Sequence, residues 1–289
     1  MNQETIKALD RLHRGHKIIL RELSRICRKH NIHYFLESGT LLGAVRHKSA
    51  IPWDDDADVV MLRADFEVFR RVVRDELDEA FYYVEPDELG KAVFDFVPRI
   101  GIKDSSIRPE NEEDTYYGNG IYNHLLVDIF IVDDVSDNVF FHKFCYGLLV
   151  IAYGLGLGHR YRLDYKQYPG ASGAAVRILS AAGKLFSARF IVHIYDKISK
   201  METGKNKKKN RCYYANYLFN DIKQIYQKEW FAPPVDVFLD GEAFPGPANA
   251  HMCLKTLYGN YMELPPEEKR TQPHMKPEYV VIRHPDMGE

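Results

Sequence analysis

Four acids, Asp54, Asp55, Asp56 and Asp58, crowd into five consecutive positions, a cost in electrostatic energy that a cation would relieve. In an extended segment alternate side chains share a face, so Asp54, Asp56 and Asp58 would point the same way, successive members about 6.6 Å apart. Two such carboxylates can clasp one Mg²⁺ or Mn²⁺, the hard cation that phosphate chemistry uses. Apolar neighbours Ile51, Trp53, Ala57, Val59, Val60 and Met61 predict a buried segment, against the alternative of a solvated acidic turn. Farther on, Asp128 interrupts the apolar run from Leu125 to Val132, and an acid inside a buried strand needs charged partners.

The elements that must position these acids can be read on either side. Ile32 to Leu36 reads as a short strand ending in Glu37-Ser38-Gly39-Thr40, after which Leu41, Leu42 and Val45 keep helical spacing. Gly39 and Thr40 thus fall at a strand-to-helix turn whose free backbone N–H groups suit an anionic ligand, although an ordinary capped helix has the same pattern. Arg46, about two turns on, and Arg99 are candidates for phosphate contact, since guanidinium binds phosphate in a bidentate way; Arg99 reads equally as a surface strand cation. Trp53 fits either the wall of a donor pocket or a packing wedge.

Asp56, Asp58 and Asp128 after a glycine turn reproduce the pattern of the nucleotidyltransferase fold: an acid-x-acid pair on one strand and a third acid on a later strand. The wording Ser38-Gly39-Thr40-Leu41-Leu42-Gly43, Arg46, Ile51-Pro52-Trp53-Asp54-Asp55-Asp56 and Asp58 resembles the LicD family, bacterial phosphocholine transferases to which fukutin-related protein is also similar. The likeness continues through Arg99-Ile100, Lys103, Asp128-Ile129-Phe130, Asp133, Trp230-Phe231 and the run Tyr258 to Arg270, spanning about residues 30 to 275. Departures are Ile131 where the family usually has proline, Asn260 where aspartate is common, and Asp240-Gly241 where Glu-Gly is commoner.

The resemblance implies an α/β (α+β) fold with a nucleotidyltransferase-like mixed sheet, flanking helices and a largely helical insertion. It implies transfer of a phosphoalcohol, typically phosphocholine, from a CDP-alcohol donor to a hydroxyl of a cell-surface glycan or lipid-linked saccharide, releasing CMP. Asp56 and Asp58 would be metal ligands, and Asp128 a third ligand or the general base. A nucleotidyltransferase using an NTP and a non-catalytic nucleotide or metal binder are the alternatives. For a choline cargo an aromatic box is expected, and Tyr116, Tyr117 and Tyr122 stand just before the Asp128 strand.

The rest of the chain bounds these readings. A composition with 45% hydrophobic and 28% charged residues and a net charge of −2 suits a soluble enzyme and argues against nucleic acid as a partner. Cys27, Cys145, Cys212 and Cys253 are widely spaced, so buried free thiols are expected. The chain divides into an N-terminal helix with the catalytic core (1–134), a helical region (135–228) and a C-terminal hairpin and helix (229–289). The opening amphipathic helix is read as cytoplasmic, without a signal peptide. The apolar stretch from Phe144 to Gly158, fifteen residues long, reads as a core helix too short for a bilayer. Arg160, Arg162 and Lys166 just after it raise peripheral membrane contact instead. Pro169 to Gly173 should break two helices, Gly204 to Asn210 form an exposed basic loop, and His251 and His274 be structural.

Overall fold

The computed structural model describes residues 3–89, 95–109, 120–160, 163–216, 224–271 and 275–288. Tyr116, Tyr117, Arg162 and His274 lie outside the described residues.

An amphipathic helix, α1 (Gln3–Lys29), buries Leu9, Leu12, Ile19, Leu23 and Ile26 and leads to the two-residue strand β1 (Phe35–Leu36). Helix α2 (Ser38–Leu42) follows, and one wider turn, Gly43–His47, ends at Lys48 in the left-handed region. Strand β2 (Asp58–Leu62) runs straight into α3 (Arg63–Glu76) and then β3 (Phe81–Val84). Three strands come next: β4 (Arg99–Ile102), β5 (Ser105–Pro109) and the long β6 (Leu126–Asp134). The helical insertion consists of α4 (Val139–Gly156), α5 (Gly170–Gly183) and α6 (Ala188–Ser199). The chain closes with β7 (Arg211–Tyr214), β8 (Tyr226–Gln227), the hairpin β9 (Val235–Leu239) and β10 (Glu242–Gly246), α7 (Ala250–Tyr258) and β11 (Met275–Ile282).

The architecture is the expected mixed α/β one. Its main sheet runs β1-β2-β6-β4-β3, with β7 also on β6 and β8 on β7. The β2–β6 pair is parallel and the other pairs are antiparallel. One edge of β6 carries β2, while the other carries β4 along residues 126–128 and β7 along residues 132–134. Asn216 bridges the gap: its Oδ1 accepts the Ile131 N–H at 2.7 Å and its Nδ2 donates to the Ile129 carbonyl at 3.2 Å. Backbone groups that lack a strand neighbour are thereby satisfied.

Several expectations need adjusting. Only Phe35–Leu36 of the segment 32–36 is strand. Asp54 and Asp56 are not on the acid strand, which begins at Asp58; the preceding loop contains Pro52, which has no N–H for a ladder, and Thr40 Oγ1 accepts the Asp58 N–H at 2.8 Å. Proline 169 caps α5, which begins at Gly170, so the breaker sequence is itself the first turn of a helix. The apolar helix is longer than its sequence suggested: with the turn after α4 it spans Val139–His159, 21 residues, and an 18-residue window of it has mean hydropathy 1.4 and is 28% buried. Its length and composition are sufficient to cross a membrane, and the core-helix reading describes only its inner side.

Asp133, part of the family-like wording, is five residues from Asp128 and so faces the other side of the sheet. There Arg63 binds it with two hydrogen bonds of 2.7 and 2.6 Å and also reaches Asp196 of α6 at 2.9 Å. This pair ties α3, β6 and α6 together in the interior. Replacing Asp133 with alanine removes the buried two-bond partner of Arg63 and leaves it Asp196 and Glu67 alone, and chemical denaturation is expected to report a loss of about 3 kcal/mol.

Candidate active site

Three adjacent strands place the charged groups in one row. Asp58 of β2 is paired in register with Asp128 of β6, and Asp128 in turn with Arg99 of β4. Arg99 is not a surface cation: it is 3% exposed, its Nε lies 2.7 Å from Asp128 Oδ1, and its two Nη atoms grip Asp95 at 2.9 and 2.5 Å. Its guanidinium carbon also sits 4.9 Å from the Tyr122 ring centroid, so that tyrosine already has a cation.

This row borders a cavity of about 290 Å³, at the small end for a small-molecule site. Asp55, Asp56, Asp58, Asp95, Arg99 and Asp128 supply its charge; Phe96, Tyr122, Phe130 and Tyr153 supply aromatic surface. Burial, then the neighbouring charges of Asp56, Asp128, Asp54 and Glu37, push the Asp58 carboxyl well above the usual carboxylate range. Burial also raises Asp128, to about 6, with Arg99 pulling in the opposite direction. Glu37, beneath the turn, is raised by burial to about 7.

The turn residues play a different geometric part. Gly39 and Thr40 line a second, much smaller cavity of about 20 Å³, room for one water-sized occupant, together with His13, His16, Asp54 and Asp56. A Cβ on Gly39 would lie 2.3 Å from Asp54 Oδ2, so the absent side chain lets the acidic loop close against the turn. Asp56, Ala57 and His16 border both cavities. Arg46 donates to the Tyr261 carbonyl at 2.8 Å, and Arg270 lies over the Trp53 ring at 5.3 Å. Arg46 and Trp53 therefore fasten the C-terminal motif to the acidic loop; neither lines the two cavities.

The sequence reading overlooked His13 and His16. Both lie on the buried side of α1, three residues apart; His13 Nε2 is 2.8 Å from the Asp54 carbonyl oxygen, and His16 walls both cavities. Their signal was the i, i+3 spacing on the apolar stripe. Burial drives the His16 imidazole down to about 3, so it stays neutral at ordinary pH.

A divalent cation suits the donor chemistry here. The groups around Asp58 are hard carboxylate oxygens, and their mutual repulsion is what a bound cation would relieve. Among the described residues no three or more His, Cys, Asp or Glu side chains converge as a ready-made ligand set, so the fit is one of charge and donor type. All four cysteines are buried and free, which leaves thiolate chemistry no role.

Residues 31–94 match the nucleotidyltransferase domain of the LicD/FKTN/FKRP family. The chain is 27% identical over 274 residues to the lipopolysaccharide cholinephosphotransferase LicD of Haemophilus influenzae, covering 91% of this chain and 94% of that protein. Uncharacterised proteins of Rickettsia typhi and Rickettsia prowazekii share 42% identity over 55 residues (19% of this chain, 18% of theirs) and 38% over 66 residues (23% and 24%).

Two outcomes follow from the geometry. Gly39→Ala forces Asp54 aside and is expected to lower stability by about 1–3 kcal/mol, read by thermal unfolding. Because His16 titrates lower when folded than when unfolded, it contributes stability above its ordinary value near 6.5 that is lost as pH falls toward 3. The buried carboxyls slope the other way, so the contribution is isolated by comparison: His16→Gln should gain about 2 kcal/mol relative to the wild type between pH 7 and pH 5.

Proposed function

The chain belongs to the LicD family, and from that premise we propose that this phosphotransferase moves phosphocholine from CDP-choline to a hydroxyl of lipopolysaccharide or a related cell-surface glycan. The acceptor oxygen bonds to the phosphorus bearing choline as the bond from that phosphorus to the bridging oxygen breaks. CMP leaves with the bond electrons, and the hydroxyl proton passes to a carboxylate. The observation that carries this reading is the register row Asp58–Asp128–Arg99 in the wall of the 290 Å³ cavity.

Each residue has a part in that reaction. Arg99, fixed by Asp95, brings a permanent positive charge toward the phosphoryl oxygens without needing to reorganise. Asp128, poised near pH 6, suits a general base at neutral pH better than an ordinary aspartate does. Asp56 and Asp58 would hold Mg²⁺ or Mn²⁺, which when bound neutralises phosphoryl charge and steadies departing CMP. The aromatic surface of Phe96, Phe130 and Tyr153, apart from the Tyr122 ring that Arg99 already occupies, suits a quaternary ammonium cargo.

The test is thermal stabilisation by CDP-choline, CDP-ethanolamine, CDP-glycerol, CDP-ribitol and CTP, each with Mg²⁺ and with EDTA. CDP-choline at about 100 times Kd should add roughly 2.7 kcal/mol with Mg²⁺ and much less with EDTA or in Asp58→Asn. Asp128→Asn should retain its fold while lowering kcat for CMP release by about 10²–10⁴-fold. A response to CTP alone would assign nucleotidyl transfer instead, and stabilisation by another CDP-alcohol would change the cargo.

A further inference from the structure

Among the described residues, the helical insertion buries one side and leaves the other exposed. Cys145, Leu149, Ala152 and Gly156 form the buried side of α4 and pack toward Ile191, Val192 and Tyr195 of α6. On the opposite side Phe140 is 85% exposed, Phe144 56% and Ile151 47%, a stripe at i, i+4 and i+11. A helix apolar all round belongs inside a protein core or against lipid, and this one has core on one side only.

Helix α5 crosses the bare side at one end and adds to it. Gly154, Gly158 and Gly183 permit the close crossing: an added Cβ would meet Leu179 Cδ1 at 2.5 Å, the Ser180 carbonyl at 2.2 Å and the Leu155 carbonyl at 2.0 Å. Away from α4 this layer exposes Ile178 at 69% and Leu185 at 83%, beside the stacked rings of Phe186 and Phe190, 5.6 Å apart. Apolar residues gathered in this way signal an interaction surface.

Charge identifies the partner. Residues 139–200 contain nine Lys and Arg against two Asp and no Glu, in a chain whose net charge is −2. Lys143, Arg177, Lys184 and Arg189 are exposed around the apolar residues. A second copy of this face would set like charges against each other, whereas anionic headgroups over an acyl layer match both features. A helix crossing the bilayer would have to strip its inner side from α6, so docking lies in the interface plane.

We propose that the outer side of α4, with α5 and the start of α6, is a docking face for an anionic lipid bilayer. Tyr153 of α4 walls the candidate cavity, while Ile151, two residues before it, points about 200° round the helix to the outside, so α4 stands between that cavity and the docking face. The inference concerns the surface alone, and vesicle binding reads it without substrate.

The experiment is co-sedimentation of the full chain with phosphatidylcholine vesicles, with and without phosphatidylglycerol, at low and high salt, alongside sedimentation velocity without lipid. Binding is expected to need phosphatidylglycerol and to weaken with salt. Phe140→Ser with Phe144→Ser should lower partitioning about ten-fold or more, and Lys143→Glu with Lys184→Glu about five-fold per charge removed, at unchanged unfolding temperature. A wild type that stays in the supernatant, binding that ignores both pairs of substitutions, or a dimer dissociated by them without vesicle binding would overturn the proposal. If the Phe pair fails to fold, Leu185→Ser on the same face carries the apolar test.

Discussion

One buried guanidinium balances the carboxylates at the centre of the fold. Burial disfavours the Arg99 charge, but Asp128 and Asp95 more than offset it, and Arg99 in turn limits how far burial raises Asp128. The β2–β6–β4 register puts Asp58, Asp128 and Arg99 side by side, and a slip of one residue would turn each to the other face. Asp58 meets acids where Asp128 meets Arg99: its carboxyl is raised by burial and four neighbouring acids. The charge imbalance therefore falls on the β2 side of the row, next to the loop carrying Asp54, Asp55 and Asp56. Structure and chemistry meet at that imbalance, because it disfavours the empty fold and favours whatever positive charge enters the cavity.

The acids, the glycine turn and the long apolar strand were legible in the sequence because each breaks a local rule. Charges crowd among apolar residues, a glycine ends a strand, and Asp128 stands inside a hydrophobic run. What local rules could not supply was pairing. Nothing in the residues near Asp58 announces that it will face Asp128 and not Ile129. Nor does the neighbourhood of Arg99 announce burial, since its partners arrive from another strand and from Asp95. His13 and His16 were hidden for the same reason, being polar positions on a helix face whose opposing surface is some forty residues away. Alternation alone would have separated Asp133 from Asp128, and it assigns Asp133 to the structural Arg63 pair.

The departure at Ile131 has a local explanation. At this position β6 has passed the end of β4 and has not reached β7, so its backbone N–H would find no strand partner. Proline has no N–H to satisfy, whereas isoleucine does, and the Asn216 side chain accepts it in the buried gap. The same amide donates to the carbonyls of Phe96 and Ile129, and Phe96 and Asn216 both face the cavity. A change of residue type in the strand is thus coupled to an amide that shapes the cavity wall.

The cavity itself follows from how the interior is divided. One apolar cluster joins α1 to the main sheet, and a smaller one joins α4 and α6 to Phe96, Val135 and Tyr213. β6 and the residues following it contribute to both, since Val127, Ile129 and Ile131 belong to the first and Val135 to the second. Side chains from both clusters, Leu125 and Phe130 from the first and Phe96 from the second, line the space between them. A single merged core would have filled that space with apolar side chains at crystal-like density. Keeping the insertion as a separate layer preserves a cavity for the charged row, and it also turns the far side of that layer outward, where among the described residues Phe140, Ile178 and Leu185 stay exposed.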